Sequence, residues 1–185
     1  MNNIQIDDKE FEILIENDNI CKRIRLIGIQ TNLDYENRCP VFLGVLNGSF
    51  MFMADLLKEI TISCEVAFIK VSSYTGDKST GTVKELIGLP EDLHNRDIII
   101  VEDIVDTGVT LEHILAEIYK QKPASVKVCS LLLKPTVLKA PMEELEYVGF
   151  EIADDFVVGY GLDYNGLGRN LNDIYRTKTH IPAAT

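Results

Sequence analysis

Between residues 102 and 110 the chain reads Glu102-Asp103-Ile104-Val105-Asp106-Thr107-Gly108-Val109-Thr110. Three carboxylates this close repel one another unless something positive, or a set of hydroxyl donors, sits among them. Thr107, Gly108 and Thr110 then lead into Leu111, Ile114, Leu115 and Ile118, whose spacing predicts an amphipathic helix. Hydroxyls, a glycine and the unpaired amides of a helix start can cradle a phosphate. One segment thus offers acceptors for hydroxyls or a metal, followed by donors for a phosphate. A sugar phosphate has that polarity. An acidic surface turn running into a capped helix would use the same residue types.

The elements around this cluster must position it. Asp97-Ile98-Ile99-Ile100-Val101 before it and Val126 to Leu133 after the helix read as apolar strands. Strand, helix and strand, with both strands apolar throughout, predict a parallel sheet covered on both faces. Val41-Phe42-Leu43-Gly44-Val45-Leu46 predicts another buried strand, turning at Asn47-Gly48-Ser49. Met53, Leu56, Leu57 and Ile60 fall at helical spacing, and Ile20, Ile24 and Ile27 predict a helix over 19–36. Cys64 to Val71 and Val83 to Ile87 predict two strands joined by a long polar loop over 72–82. Ligands of such sheets bind beyond the carboxyl ends of the strands. The chemistry is therefore expected in the loops after Leu46, Val101 and Leu133.

A chain of 185 residues with no internal repeat or linker is expected to form one domain. No apolar run reaches membrane-spanning length, and Met1 to Glu10 is polar and acidic, so neither a membrane span nor a signal peptide is expected. The reading is a cytoplasmic protein. Cys21, Cys39, Cys64 and Cys129 form no CxxC pair, which disfavours zinc or a disulfide framework, and Cys129 is expected to be buried. Asn47-Gly48-Ser49 matches a glycosylation sequon and, without a secretion signal, is read as fortuitous. His94, His113 and His180 are isolated and receive no role, with His113 expected on the solvent side of its helix. With 18 basic against 29 acidic residues the net charge is −11, and no basic patch offers itself to nucleic acid. An acidic protein that binds a polyanion must rely on amides, helix N-termini, a divalent cation or a few placed side-chain cations.

Val101 to Thr110 resembles the phosphoribosyl-diphosphate signature of type I phosphoribosyltransferases. Further stretches are similar, in order and spacing, to the hypoxanthine phosphoribosyltransferases. These are Leu46-Asn47-Gly48-Ser49-Phe50-Met51-Phe52-Met53-Ala54-Asp55, Ser73-Tyr74, Leu133-Lys134-Pro135 and Phe156-Val157-Val158-Gly159-Tyr160-Gly161-Leu162-Asp163-Tyr164. The resemblance spans roughly residues 5–175. It implies a single α/β domain: a mainly parallel sheet flanked by helices over about 38–150, a small hood from about 1–15 and 151–185, and a mobile lid near 72–82.

The resemblance also implies roles. Glu102 and Asp103 would hold the ribose hydroxyls, directly or through Mg2+, and Asp163 would ligate a second Mg2+. The amides and hydroxyls of Asp106, Thr107, Gly108, Val109 and Thr110 would cradle the 5-phosphate. Asp106 would also be the general base for the purine N7 proton. Leu46, Asn47 and Gly48 would bind diphosphate through amides, with a cis peptide before Asn47, and Arg169 would pair with the diphosphate. Ser73 and Tyr74 would lie on the lid. At the purine site, Lys134 would donate to O6, Phe156 would stack on the base, Val157 would read its edge, and Ile104 and Asp163 would lie alongside. The substrates implied are 5-phosphoribosyl-1-diphosphate with hypoxanthine or guanine, the products IMP or GMP, and the assembly a homodimer or homotetramer.

Plainer readings exist on spacing alone. Lys134 could be a solvated strand-end lysine, Phe156 a core aromatic, Asp163-Tyr164-Asn165-Gly166 an ordinary turn, and Arg169 a surface residue. Where many relatives carry a basic residue this chain has Asn47, which bears on diphosphate affinity. Other functions remain open as well: a non-catalytic sensor of phosphoribosyl diphosphate, an interaction protein with no small ligand, or a transferase for xanthine or another base. A sensor would usually add a nucleic-acid-binding surface, and an interaction protein leaves the acidic cluster unexplained. Lys134 favours a 6-oxopurine, because an ammonium cannot accept a hydrogen bond from the amino group of adenine.

Overall fold

The computed structural model describes residues 3–73, 83–90 and 92–178. In chain order the elements are β1 (Asn3–Ile6), β2 (Lys9–Ile15), α1 (Asn17–Asp34), β3 (Val41–Leu46), α2 (Phe50–Glu59), β4 (Glu65–Ser73), β5 (Val83–Ile87), β6 (Asp97–Val105), α3 (Val109–Lys120), β7 (Ser125–Leu133), β8 (Leu145–Glu151), β9 (Val157–Val158) and β10 (Ile174–Thr177). Two sheets result. The larger has the order β5-β4-β3-β6-β7-β8, with five parallel strands and β5 antiparallel at one edge. The smaller, β1-β2-β10-β9, is antiparallel and joins segments from the two ends of the chain.

The central strand β6 shows why an unbroken apolar run belongs here. Successive side chains point to opposite faces of a strand. Ile99 and Val101 enter a core with Ile20 and Ile24 of α1 and Phe52 and Leu56 of α2. Ile98 and Ile100 enter a second core on the other face, with Leu111, Ile114 and Ile118 of α3. Both faces are covered, so alternation would be a defect. A third, smaller core of Ile6, Phe11, Val158 and Tyr175 supports the four-stranded sheet. That sheet is joined to the main body by packing, since Val157 of β9 and Ile174 of β10 enter the core shared with α1 and α2. The Asn17 amide at the start of α1 also donates to Asp173 Oδ1 at 2.8 Å, just before β10.

Departures from the sequence reading are few. β6 continues past Val101 to Val105, so Glu102 and Asp103 stand on the end of the strand rather than in a loop. β8, parallel to β7, was not foreseen. Cys129 is fully buried, as expected, whereas His113 is half-buried. Among the described residues no helix is long and apolar enough to cross a membrane.

Candidate active site

The carboxyl ends of β3, β6 and β7 converge, and the loop after β3 is the tightest of the three. The Leu46–Asn47 peptide bond is cis. Ser49 is buried and its hydroxyl donates to the Val45 carbonyl at 2.6 Å, closing the turn into α2. A Cβ on Gly48 would lie 1.5 Å from Asp103 Oδ2, and one on Gly161 would lie 2.0 Å from the Gly48 carbonyl oxygen. Gly161 also has φ +102°. Glycine at both positions lets three segments distant in sequence meet without intervening side chains.

Glu102 is buried, and burial together with the neighbouring Asp103 carboxylate drives its carboxyl well above the ordinary carboxylate range. Burial also raises Asp103, against the opposing pull of amide hydrogen bonds, among them that of Ile104 to Asp103 Oδ1 at 3.0 Å. Beyond them β6 ends, and Gly108 turns the chain into α3 with φ 84°, a left-handed conformation that suits glycine. No side chain caps α3, so its first amides are available to an anion over Thr107–Thr110.

Lys134, at the end of β7, is buried: the solvated-lysine reading does not hold. Its Nζ is 3.0 Å from Asp154 Oδ1 and 3.5 Å from Asp106 Oδ2. Phe156 is 44% exposed, so the core-packing reading fails too. Its ring meets Tyr164 edge-on at 5.6 Å and Phe11 at 6.4 Å, with Lys9 Nζ 5.2 Å from its centroid. Hydrogen bonds from Tyr164 to Asp8 Oδ1 (2.6 Å) and from Asn165 to Asp7 Oδ2 (2.9 Å) fasten this aromatic group to the β1–β2 turn.

Between these groups lies a cleft of about 180 Å³, lined by Asp103, Ile104, Asp106, Lys134, Phe156, Val157, Leu162, Asp163 and Arg169. Eight of these nine were singled out in the sequence, all but Leu162. Arg169 is fixed by an ion pair to Asp163 Oδ1 and by donating to the Gly161 carbonyl at 2.6 Å. Asp163 Oδ2 accepts from the Gly166 amide at 2.7 Å. Tyr74 and nearly all of the 72–82 lid fall outside the described residues, and Ser73 ends β4. Sequence reasoning missed Asp154, Lys9 and Tyr164. All are polar or amphipathic residues whose partners come from remote segments, so no local pattern marks them.

Adjacent buried carboxylates with raised pKa values fit a small divalent cation, whose charge would relieve both the burial and the mutual repulsion. Among the described residues no group of three or more metal-ligating side chains assembles, and Asp163 is engaged by Arg169 instead. Mg2+ commonly takes one or two carboxylates and completes its shell with water and substrate phosphates. The donor set suits that mode.

A parallel sheet with an acidic strand end, an uncapped helix start and a small antiparallel sheet over the cleft defines a class. The family model described as phosphoribosyl transferase domain matches residues 11–165, and the chain belongs to that family. Its relatives narrow the branch. The chain is 42% identical over 178 residues to the hypoxanthine-guanine phosphoribosyltransferase of Staphylococcus aureus (strain Mu50), covering 95% of this chain and 97% of that protein. It is 44% identical over 164 residues to the hypoxanthine-guanine phosphoribosyltransferase of Staphylococcus epidermidis (strain ATCC 12228), covering 88% and 89%. Among solved structures, a hypoxanthine phosphoribosyltransferase from Staphylococcus aureus superposes with TM-score 0.85 at 40% identity, covering 94% of each chain. One from Trypanosoma cruzi superposes with TM-score 0.85 at 32% identity, covering 95% of each.

Proposed function

We propose that this chain is a cytoplasmic purine-salvage enzyme. It transfers the 5-phosphoribosyl group from 5-phosphoribosyl-1-diphosphate to N9 of hypoxanthine or guanine, yielding IMP or GMP and diphosphate. The observation that carries this reading is the buried Lys134 ammonium, set in the cleft between Asp106 and Asp154 and within the same walls as Phe156. A fixed donor beside an exposed aromatic face suits a planar base bearing a 6-oxo group.

The residues divide the work. The base stacks on Phe156, beside Ile104, Val157 and Leu162, and its O6 accepts from Lys134. Thr107 to Thr110 bind the 5-phosphate, Glu102 and Asp103 take the ribose hydroxyls, and the amides of Leu46, Asn47 and Gly48 with Arg169 hold the diphosphate. As the C1–oxygen bond to diphosphate breaks and the C1–N9 bond forms, Asp106 removes the N7 proton. Mg2+, held by Glu102 and Asp103 with a second ion near Asp163, would supply positive charge for the departing diphosphate. The four-stranded sheet over residues 3–15 and 157–177 acts as a hood, and the 72–82 segment as a lid that keeps water from the oxocarbenium-like sugar.

A spectrophotometric assay with hypoxanthine, guanine, xanthine and adenine offered separately, with and without Mg2+, tests the proposal. Magnesium-dependent turnover of hypoxanthine or guanine is expected. No turnover of any base while 5-phosphoribosyl-1-diphosphate still binds would replace it with a sensor.

A further inference from the structure

Tyr160 holds a backbone conformation that few residues of its size adopt. Its φ is 50°, in the left-handed region, between Gly159 at φ 101° and Gly161 at φ 102°. A bulky side chain is disfavoured there and persists only where its surroundings fix it. The surroundings do so from two sides. The ring is fully buried in the core that holds Phe52 and Leu56 of α2, and its hydroxyl donates to Asp55 Oδ2. Its amide donates in the other direction, to the Leu171 carbonyl at 2.8 Å.

Neither Tyr160 nor Asp55 lines the cleft or has a part in the proposed transfer. Their neighbours do. Asp55 lies on α2, which starts just beyond the Leu46-Asn47-Gly48 loop. Gly161, next to Tyr160, lies so close to that loop that a Cβ on it would be 2.0 Å from the Gly48 carbonyl oxygen. Gly161 is also tied to Arg169. Its amide donates to the Arg169 carbonyl at 2.9 Å, and its own carbonyl accepts from the Arg169 guanidinium at 2.6 Å. One hydrogen bond between α2 and the turn over 159–163 thus sits at the joint between the two groups assigned to diphosphate.

We propose that the Tyr160–Asp55 hydrogen bond positions the diphosphate site, by holding Gly161 against Gly48 and keeping Arg169 beside them. The proposal rests on the donor assignment made under the proposed function. Tyr160 and Asp55 are positioning residues, acting through Gly48 and Arg169. Removing the phenol hydroxyl lets the turn move off α2 and lets Arg169 and the Gly48 loop separate. Asp55 is not stranded by that change, because it is partly exposed and Lys58 Nζ lies 2.7 Å from its Oδ1. The purine side is anchored separately, Lys134 by Asp154 and Phe156 by Phe11 and Tyr164.

Calorimetry of 5-phosphoribosyl-1-diphosphate binding to the full chain, with Mg2+ and without purine, tests this. Tyr160→Phe is expected to weaken donor binding roughly tenfold, the scale of one hydrogen bond to a charged group. In steady-state assays the KM for hypoxanthine should hold. Asp55→Ala should match Tyr160→Phe, and the two together should be no worse than either, since they break one bond. Asp55→Asn keeps an acceptor for the phenol and should retain most of the affinity. A merely structural role would lower the melting temperature without separating donor from purine. Unchanged donor affinity in Tyr160→Phe, losses that add in the double variant, or an Asp55→Asn protein as weak as Asp55→Ala would each overturn the proposal. Should Tyr160→Phe not fold, the two Asp55 variants decide it by the same comparison. An unsubstituted chain that binds no donor would instead overturn the donor assignment, and this inference with it.

Discussion

Lys134 Nζ sits closer to Asp154 than to Asp106, at 3.0 against 3.5 Å. That asymmetry has chemical value. A buried ammonium needs a carboxylate nearby to stay charged. If that carboxylate were Asp106, the proposed base would be tied up in an ion pair. Asp154, more than half exposed and outside the cleft lining, takes the nearer position and leaves Asp106 the freer of the two.

Replacing Asp154 with Asn should therefore be felt at the purine and not at the sugar. Without its nearer counter-charge Lys134 turns towards Asp106 and leaves the position suited to O6. The KM for hypoxanthine is expected to rise about tenfold, the scale of one hydrogen bond to a charged group. The KM for 5-phosphoribosyl-1-diphosphate should hold, and Asp154→Glu should recover most of the loss. Equal rises in both KM values would show a general structural defect instead.

Asp106→Asn separates chemistry from binding. An amide cannot take the N7 proton, so kcat should fall by ~10²–10⁴, the usual contribution of a positioned acid–base group. Binding of the diphosphate sugar, measured by calorimetry, should persist, because the α3 amides that would hold the phosphate are backbone. Lys134→Ala should show the opposite pattern, with weakened purine and intact donor binding.

How visible this site was in the sequence varied with the kind of element. β3, β6 and β7 are buried on both faces and advertise themselves as apolar runs, and the acids at the end of β6 are contiguous. The small sheet has no such signature. β9 is two residues, Val157 and Val158, and pairs with Tyr175 and Arg176 of β10. β10 in turn pairs with β2 from the far end of the chain. Phe156 illustrates the consequence. An aromatic beside two valines has the pattern of a core residue, and only its resemblance to family members marked it as a base platform. In the structure its partners Phe11 and Tyr164 come from either end of the chain and leave one side open. Asp154 had no sequence mark because its role depends on Lys134, twenty residues away.

Gly48→Ala tests whether the loop after β3 depends on close approach. The new methyl would fall 1.5 Å from Asp103 Oδ2, so either the loop or the carboxylate must move. Overpacking of this kind costs about 1–3 kcal/mol. The expected result is a lower melting temperature and a raised KM for 5-phosphoribosyl-1-diphosphate, with purine affinity little changed. Unaltered donor kinetics would mean that neither the loop amides nor Asp103 contacts the donor.

Alkaline pH should loosen the fold through its tyrosines. Burial, reinforced by a hydrogen bond to a carboxylate, pushes the phenol of Tyr147 far above its ordinary value of 10, and it donates to Asp34 Oδ2 at 2.7 Å. Tyr160, donating to Asp55, is raised for the same reasons, and Tyr119, donating to Glu144, is pushed up to about 12. The sign follows from proton counting. Above pH 10 the unfolded chain releases phenolic protons that the folded chain keeps, so the folded state binds more protons and stability falls as pH rises. The stabilisation is fully present below pH 10 and is lost progressively from there to about 12 and beyond. Melting temperatures measured between pH 8 and 12 should decline accordingly. Tyr147→Phe should melt about 2–4 °C lower at pH 8, because a hydrogen bond worth roughly 1 kcal/mol is gone. Its decline above pH 10 should also be shallower than that of the unsubstituted chain. Parallel slopes for the two proteins would show that Tyr147 keeps no proton the unfolded chain would lose, and that the alkaline loss arises elsewhere.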